Sequence, residues 1–198
     1  MKSLSDIINA FPRVLVSLWR RAEHVVFSRF AKSISAVDPH GVVKNCLLEK
    51  PEFKEAFQAF NEQDYPQAYD LFKRIAREGD AAAQNNVGVL YETGTGVIRI
   101  DHLAEEWYRR AAVQGLAEAQ FNLAAILASD LMVGHASHDA GVEESQLIEA
   151  YMWVTLAADQ NHRGALSGVT RLRRHLSDAQ IAEAQRLARE WKPKKEGK

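Results

Sequence analysis

The chain has 198 residues, enough for one domain of ordinary size with a buried core. Apolar residues make up 46% and charged residues 26%, the balance of a soluble globular protein, and the net charge of -1 argues against a polyanion-binding protein. The single cysteine, Cys46, excludes an intramolecular disulfide. The sequence has no apolar run long enough to predict a membrane span and no pattern typical of a secretory signal. We therefore expect a cytoplasmic protein.

Residues 1–50 predict an amphipathic helix followed by a linker. Residues 1–33 carry a net charge of +4, and apolar side chains recur along one helical face. One interpretation is that this helix packs on the domain that follows. The other is that it binds a partner's groove or an anionic membrane, which would place the protein at the inner face of the membrane. The residues for the second role are Phe11, Leu15, Leu18, Trp19, Arg20 and Arg21.

A sequence repeat follows this segment. The stretch GDAAAQNNVGVLYETGTGV at 79–97 aligns with GLAEAQFNLAAIL at 115–127, at an offset of 36 residues. A third copy begins 46 residues further on, where Trp153 aligns with Trp107. Periods of this length are typical of stacked helical repeats, in which each unit needs its neighbours to bury its apolar side chains.

The sequence of each unit predicts two helices joined by a tight turn. Gly79 and Gly115 follow a helix where a left-handed backbone is typical, and Asn161, their equivalent in the third copy, tolerates the same conformation. Ser177 and Gln180 predict a capping box for a last helix that closes the stack. We therefore expect an all-α repeat domain over residues 51–191 and a basic, disordered tail over residues 192–198.

Two sequence stretches, AEEWYRRAAVQG at 104–115 and AQNNVGVLYETGTGV at 83–97, resemble the Sel1-like repeat family. This family is related to the tetratricopeptide repeats. The ending EAYMWVTLAADQNHRGA resembles that of bacterial members. The resemblance implies a right-handed α-solenoid with a concave face. It also implies a non-catalytic scaffold or adaptor that binds a peptide or helix of a partner protein.

In relatives, the first helix of each unit lines the concave face, and this predicts which side chains contact the partner. These candidates are Asn85, Val89, Glu92, Phe121, Arg171 and Arg174. Phe121 is a large aromatic residue off the packing stripe, the type of residue that often dominates binding energy. The alternative interpretation is that the set consists of ordinary surface or inter-unit packing residues.

Two other patterns are weaker indications of function. Gly94 and Gly96 follow a helix, whereas a dinucleotide-binding loop follows a strand. His135, His138 and Asp139 have a spacing that suits metal ligands, but they lie in a predicted loop where solvated side chains are more usual. The sequence therefore predicts no catalytic residue, no metal, no cofactor and no nucleic-acid partner.

Overall fold

The computed structural model describes residues 51–132 and 140–194, apart from the side chains of residues 130–143. The chain divides into two units, Met1–Glu49 and Lys50–Lys198, and all described residues lie in the second. Within the described residues the structure is all-α and contains no strand. The predicted fold class is confirmed for this part of the chain, while the predicted N-terminal helix lies outside it.

Eight α-helices and one 3-10 turn make up the described part of the chain. The helices are α1 (Pro51–Asn61), α2 (Tyr65–Arg77), α3 (Ala81–Thr93), α4 (Asp101–Val113), α5 (Ala117–Met132), α6 (Ala140–Asp159), α7 (Ala165–Leu172) and α8 (Asp178–Glu190). The 3-10 turn, Arg173–His175, extends α7 by one short turn before the chain enters α8.

Polar side chains define where several helices begin. The Asp64 carboxylate accepts a hydrogen bond at 3.2 Å from a first-turn amide of α2, and Asp80 accepts two from α3 at 3.0 and 3.1 Å. At the start of α8, Ser177 and Gln180 form the predicted capping box. These bonds satisfy amides that have no partner inside the helix.

The turns that end α2, α4 and α6 share one backbone conformation. Gly79 has φ of 91°, Gly115 has φ of 96° and Asn161 has φ of 60°. Glycine and asparagine adopt this left-handed region at low cost, which explains why they recur at this position. The predicted equivalence of Asn161 with the two glycines is confirmed.

The helices pack in two layers. From α1 to α7 each helix contacts the next one in the chain, and in the first layer α3 contacts α5, which contacts α7. In the second layer α8 packs on α6, and a salt bridge joins α6 to α4. Fully buried alanines at the contacts, including Ala104, Ala112, Ala119 and Ala165, let neighbouring helix axes approach closely. This neighbour-to-neighbour packing is that of a helical solenoid.

Buried glutamines repeat the same polar link in two successive units. Gln84 donates at 3.2 Å to a carbonyl in the last turn of α2 and accepts at 2.8 Å from Gln114. Gln120 donates at 3.3 Å to a carbonyl in the last turn of α4 and accepts at 2.8 Å from Gln160. Each carbonyl also accepts a hydrogen bond from the glycine amide of the turn that follows, so each glutamine adds a second bond to it while it joins consecutive helices.

Candidate protein-interaction surfaces

Helices α3, α5 and α7 carry side chains at equivalent repeat positions. In α3 and α5 these side chains face the next unit of the stack. Asn85 in α3 accepts a hydrogen bond at 3.0 Å from Nδ2 of Asn122 in α5. Offsets of 36 and 46 residues place Phe121 of α5 and Ser167 of α7 at the same repeat position. One turn later, these helices carry Val89, Ala125 and Arg171. We call these six positions the forward face.

The prediction that Asn85 and Val89 line an open concave face is wrong. Each residue is only 1% exposed. Asn85 lies off the apolar stripe of α3, and for this reason the sequence pattern favoured a solvent-facing position. The amide of Asn122 instead provides a buried partner for the Asn85 oxygen, which removes most of the cost of taking that oxygen out of water.

Phe121 packs from the forward face of α5 onto the following unit. Its ring stacks on His162 with centroids 4.5 Å apart and planes inclined by 28°. Gly164 makes room for it, because a β-carbon there would lie 3.0 Å from a ring atom; Gly168 lies beside the ring, where a β-carbon would be in ordinary contact at 3.6 Å. His162 is held in turn by a 2.7 Å contact between its Nε2 and Glu118. The half-buried ring is therefore an inter-unit contact, and its role in partner binding stays a prediction.

Glu92 takes part in a contact between its own helix and the next helix along the chain. Its carboxylate accepts a 2.6 Å hydrogen bond from the Tyr108 hydroxyl, which joins α3 to α4. Tyr108 is fully buried, so this bond satisfies the one polar atom of a core side chain. The predicted contact of half-buried Glu92 with a partner stays a prediction.

Helix α7 differs from α3 and α5 because its forward face is exposed. Leu166 is 71% exposed, and the predicted residues Arg171 and Arg174 are also exposed. The exposed arc, which we call the end face, consists of Leu166, Ser167, Thr170, Arg171, Arg173 and Arg174. Within residues 51–129 and 144–194, no ion pair involves its three arginines.

Helix α8 ends the second layer in a different way. It buries Ile181, Ala184 and Ala188, and its outer side chains neutralise one another. Arg186 forms ion pairs with Glu183 at 2.7 Å and with Glu190 at 2.6 Å. Hydrogen bonding to Arg186 lowers the pKa of Glu183 below its ordinary value. This apolar inner side with a charge-balanced outer side is typical of a capping helix.

A half-buried charge cluster links α4 to α6. Arg109 pairs with Glu105 in its own helix at 2.9 Å and with Glu149 in α6. The indole nitrogen of Trp153 donates to Glu149 at 3.0 Å. Burial alone would raise the pKa of Glu149, but the hydrogen bonds from Arg109 and Trp153 outweigh it and lower that pKa below its ordinary value.

An extended segment, Trp191–Lys194, returns from α8 across the ends of α6 and α4. The Trp191 ring meets Trp153 of α6 edge-on with centroids 5.8 Å apart. The Lys194 amide donates at 2.8 Å to the carbonyl of Val113, the last residue of α4. Pro193 packs beside the turn at Gly115, 3.4 Å from the place of a β-carbon. We call the area covered by this segment the tail surface.

Sequence reasoning missed the tail surface, because it predicted disorder from residue 192 onward. A bulky tryptophan and a proline after the last helix were the available signal, since both favour an extended segment that packs on a neighbour. The lysines around Pro193 had been interpreted only as charge. Lys194 is instead held through its backbone amide.

The metal and membrane predictions depend on parts of the chain that the structure does not describe. His135, His138 and Asp139 lie outside the described residues, as do all six N-terminal contact residues, Phe11 to Arg21. In residues 51–129 and 144–194, no three His, Cys, Asp or Glu side chains are placed to hold a metal ion. None of the described helices is both long and apolar enough to cross a membrane.

Stacked helical hairpins with repeated caps and inter-unit links define a helical-repeat protein. The Sel1 repeat family model matches residues 62–80, 81–116 and 117–162, which together make up about half of the chain. The chain belongs to the Sel1 repeat family. Proteins of this family are generally protein-interaction scaffolds and are typically non-catalytic.

The chain is similar to other Sel1 repeat proteins, and one solved structure shares its fold. The chain is 40% identical, over 55 residues, to the putative sel1-like repeat-containing protein L21 of Acanthamoeba polyphaga mimivirus; the match covers 28% of this chain and 10% of that protein. The crystal structure of c5321, a protective antigen of uropathogenic Escherichia coli with an SLR fold, superposes with a TM-score of 0.60 at 22% identity, over 86% of this chain and 37% of c5321. A Sel1 repeat protein from Oxalobacter formigenes gives a TM-score of 0.45 at 26% identity, over 70% of this chain and 59% of that one. This chain therefore spans less than two thirds of each relative.

Proposed function

We propose that the chain is a non-catalytic scaffold or adaptor that binds a segment of a partner protein on its helical surface. The observation that supports this most directly is the seating of Trp191–Lys194 on the tail surface. That segment is extended, ends in a backbone hydrogen bond to the solenoid and packs a tryptophan against a second tryptophan. The same surface thus offers a partner segment the contacts that hold an extended peptide.

The tail surface also suits reversible binding. Among the described residues a four-residue segment covers it, and Lys192, Pro193 and Lys194 remain exposed in place. An incoming segment gains the Val113 carbonyl and the contact with Trp153 that the tail makes in the folded chain when it replaces the tail. We propose that partner and tail compete for this surface.

Affinity capture from the native cell with quantitative mass spectrometry tests the proposal. We expect the full chain to enrich a partner protein over an unrelated α-solenoid, and Trp191→Ala to increase its recovery because the competing tail is loosened. Lys192→Ala is the matched control and should leave recovery unchanged. The proposal fails if no protein is enriched over the unrelated solenoid by either the wild type or the Trp191→Ala variant.

The membrane-associated scaffold is the second candidate, and it rests on the basic amphipathic pattern of residues 1–33. Co-sedimentation with anionic liposomes, with and without these residues, separates the two candidates. Equal sedimentation of both forms excludes an N-terminal anchor. The presence of the protein at the inner face of a membrane stays a prediction of this second candidate.

A further inference from the structure

We propose that the end face binds an acidic amphipathic helix of a partner protein, in the place where a further repeat would add its next helix to α7. The inference rests on the proposed function, since it takes the chain to be a protein-binding scaffold. It adds a second binding surface, the end face, whose partner is an acidic helix and not an extended segment. The repeat position of α7, the charge of the end face and its apolar side chain carry the inference.

The repeat position indicates that the occupant is a helix. The forward face of α3 contacts α5 through Asn85, and the forward face of α5 contacts the unit that contains α7 through Phe121. In α7 the same positions are Ser167 and Arg171, and both are exposed. The repeat position that packs on a following helix in α3 and α5 is therefore present in α7 as well, but no described helix covers it there.

The charge of the end face indicates that the occupant is acidic. Between Asp159 and Asp178 the chain has four arginines and no acidic residue, although residues 51–159 contain 18 Asp and Glu against seven Lys and Arg. Arg171 and Arg174 lie three residues apart on one side of the helix and its 3-10 extension. Carboxylates on adjoining turns of a partner helix match this spacing.

The apolar side chain indicates that the occupant is amphipathic. Leu166 lies one turn before Thr170 and is one of two large apolar residues that are strongly exposed within the described residues. The aliphatic stems of neighbouring arginines extend the apolar surface around it. A partner helix with an apolar stripe beside its carboxylates covers Leu166 while it pairs with the arginines.

Comparison with α8 separates a binding face from a solubilising cap. The outer side of α8 pairs Arg186 with two glutamates, so the cap is charged yet locally balanced. The end face has charge of one sign, has no ion pair among the described residues and exposes a leucine. A cap needs none of these three features, whereas recognition of an acidic helix uses all of them.

The experiment uses the full chain and a displayed library of random peptides of about 16 residues, roughly four helical turns. We expect the selected peptides to be enriched in Asp and Glu at i, i+3 and i+4 beside an apolar stripe. One selected peptide is then synthesised, and its affinity is measured by fluorescence anisotropy for the wild type, for Arg171→Glu/Arg174→Glu and for the matched control Arg189→Glu. Circular dichroism verifies that each variant is folded.

We expect the double variant to bind the peptide roughly tenfold more weakly, because two favourable charge pairs become repulsive. The control should change affinity by less than about twofold, since Arg189 is an exposed arginine on another helix. Leu166→Ser should weaken binding without any change in its salt dependence, which separates the apolar contact from the ionic one.

Selection without acidic enrichment, or an affinity that survives the charge reversal, overturns the proposal. Arginine-dependent binding to phosphatidylserine vesicles with no acidic peptide selected would assign the face to a membrane instead. Arginine-dependent self-association in sedimentation velocity would assign it to a second copy. A chain that captures a partner through the tail surface but selects no acidic peptide fails this inference alone and leaves the proposed function standing.

Discussion

Helices α5 and α7 place the same repeat position in two different environments. On α5, the forward face carries Phe121, which is half-buried against His162 and two glycines of the next unit. On α7, the equivalent Ser167 and the neighbouring Arg171 are exposed. The difference shows that the repeat position alone does not determine whether a side chain is packed or exposed. Whether it packs or stays open to a partner depends on whether another unit follows.

The largest effect should come from a larger side chain at the close contact between α7 and α6. A β-carbon on Gly168 would lie 2.8 Å from Cγ2 of Val154 in α6, so Gly168→Leu must push α7 away from α6. We expect the free energy of unfolding to fall by roughly 3 kcal/mol, despite the better helix propensity of leucine. Urea denaturation measures this loss.

The neighbouring residue provides the matched control. Ser167→Leu places the same side chain on the exposed forward face of α7, where it meets no neighbour among the described residues. We expect a change within about 0.5 kcal/mol. Equal losses for the two variants would show that the side of α7 that packs on α6 and the forward face of α7 do not differ in the way described.

The next largest effect concerns the small side chains of the helix contacts. Ala112 in α4 is fully buried, and Ala112→Leu should separate adjacent helices at a cost of roughly 2 kcal/mol. Ala182→Leu on the exposed side of α8 is the control and should leave the melting temperature nearly unchanged. An unchanged melting temperature for Ala112→Leu would count against close stacking.

The repeated glutamine link should have a smaller effect. Gln120→Leu leaves a last-turn carbonyl of α4 and the amide of Gln160 without their shared partner. We expect a loss of roughly 1–2 kcal/mol in unfolding free energy, compared with almost none for the exposed Gln67→Leu. If the two variants were equally stable, the link would be incidental to the stack.

The smallest effect depends on pH and concerns the α4–α6 charge cluster. Because the pKa of Glu149 is lowered in the folded chain, its stabilisation is present above the ordinary carboxyl pKa and is lost as the pH falls through the lowered value. We expect Glu149→Gln to cost roughly 1 kcal/mol at neutral pH, since the cluster is only half-buried. Urea denaturation across a pH series should show this difference shrinking in acid; a constant difference would contradict the cluster's role.

Much of the fold could be predicted because its signals are local. The helix ends at Gly79, Gly115 and Asn161 and the capping box at Ser177 depend on residues within one turn of each other. The repeat offset then identified the hairpins. These features do not depend on how one unit faces the next.

The candidate binding residues could not be predicted equally well, because their environment depends on distant parts of the chain. Asn85 has the polarity of a surface residue, yet Asn122, 37 residues later, makes it a buried one. Arg171 has the same repeat position as Val89, and only the end of the described stack leaves it exposed. A repeat pattern alone does not show which polar positions have a neighbour.

Cysteine labelling at one repeat position tests the central claim most directly. In a Cys46→Ser background, Val89→Cys, Ala125→Cys and Arg171→Cys each place one thiol at equivalent positions of α3, α5 and α7. We predict that the thiol at 171 reacts with a maleimide as fast as a free thiol, that 125 reacts more slowly and that 89 reacts only when the chain unfolds. Equal fast labelling at positions 89 and 171 would contradict a stack that closes its inner forward faces and leaves the last one open.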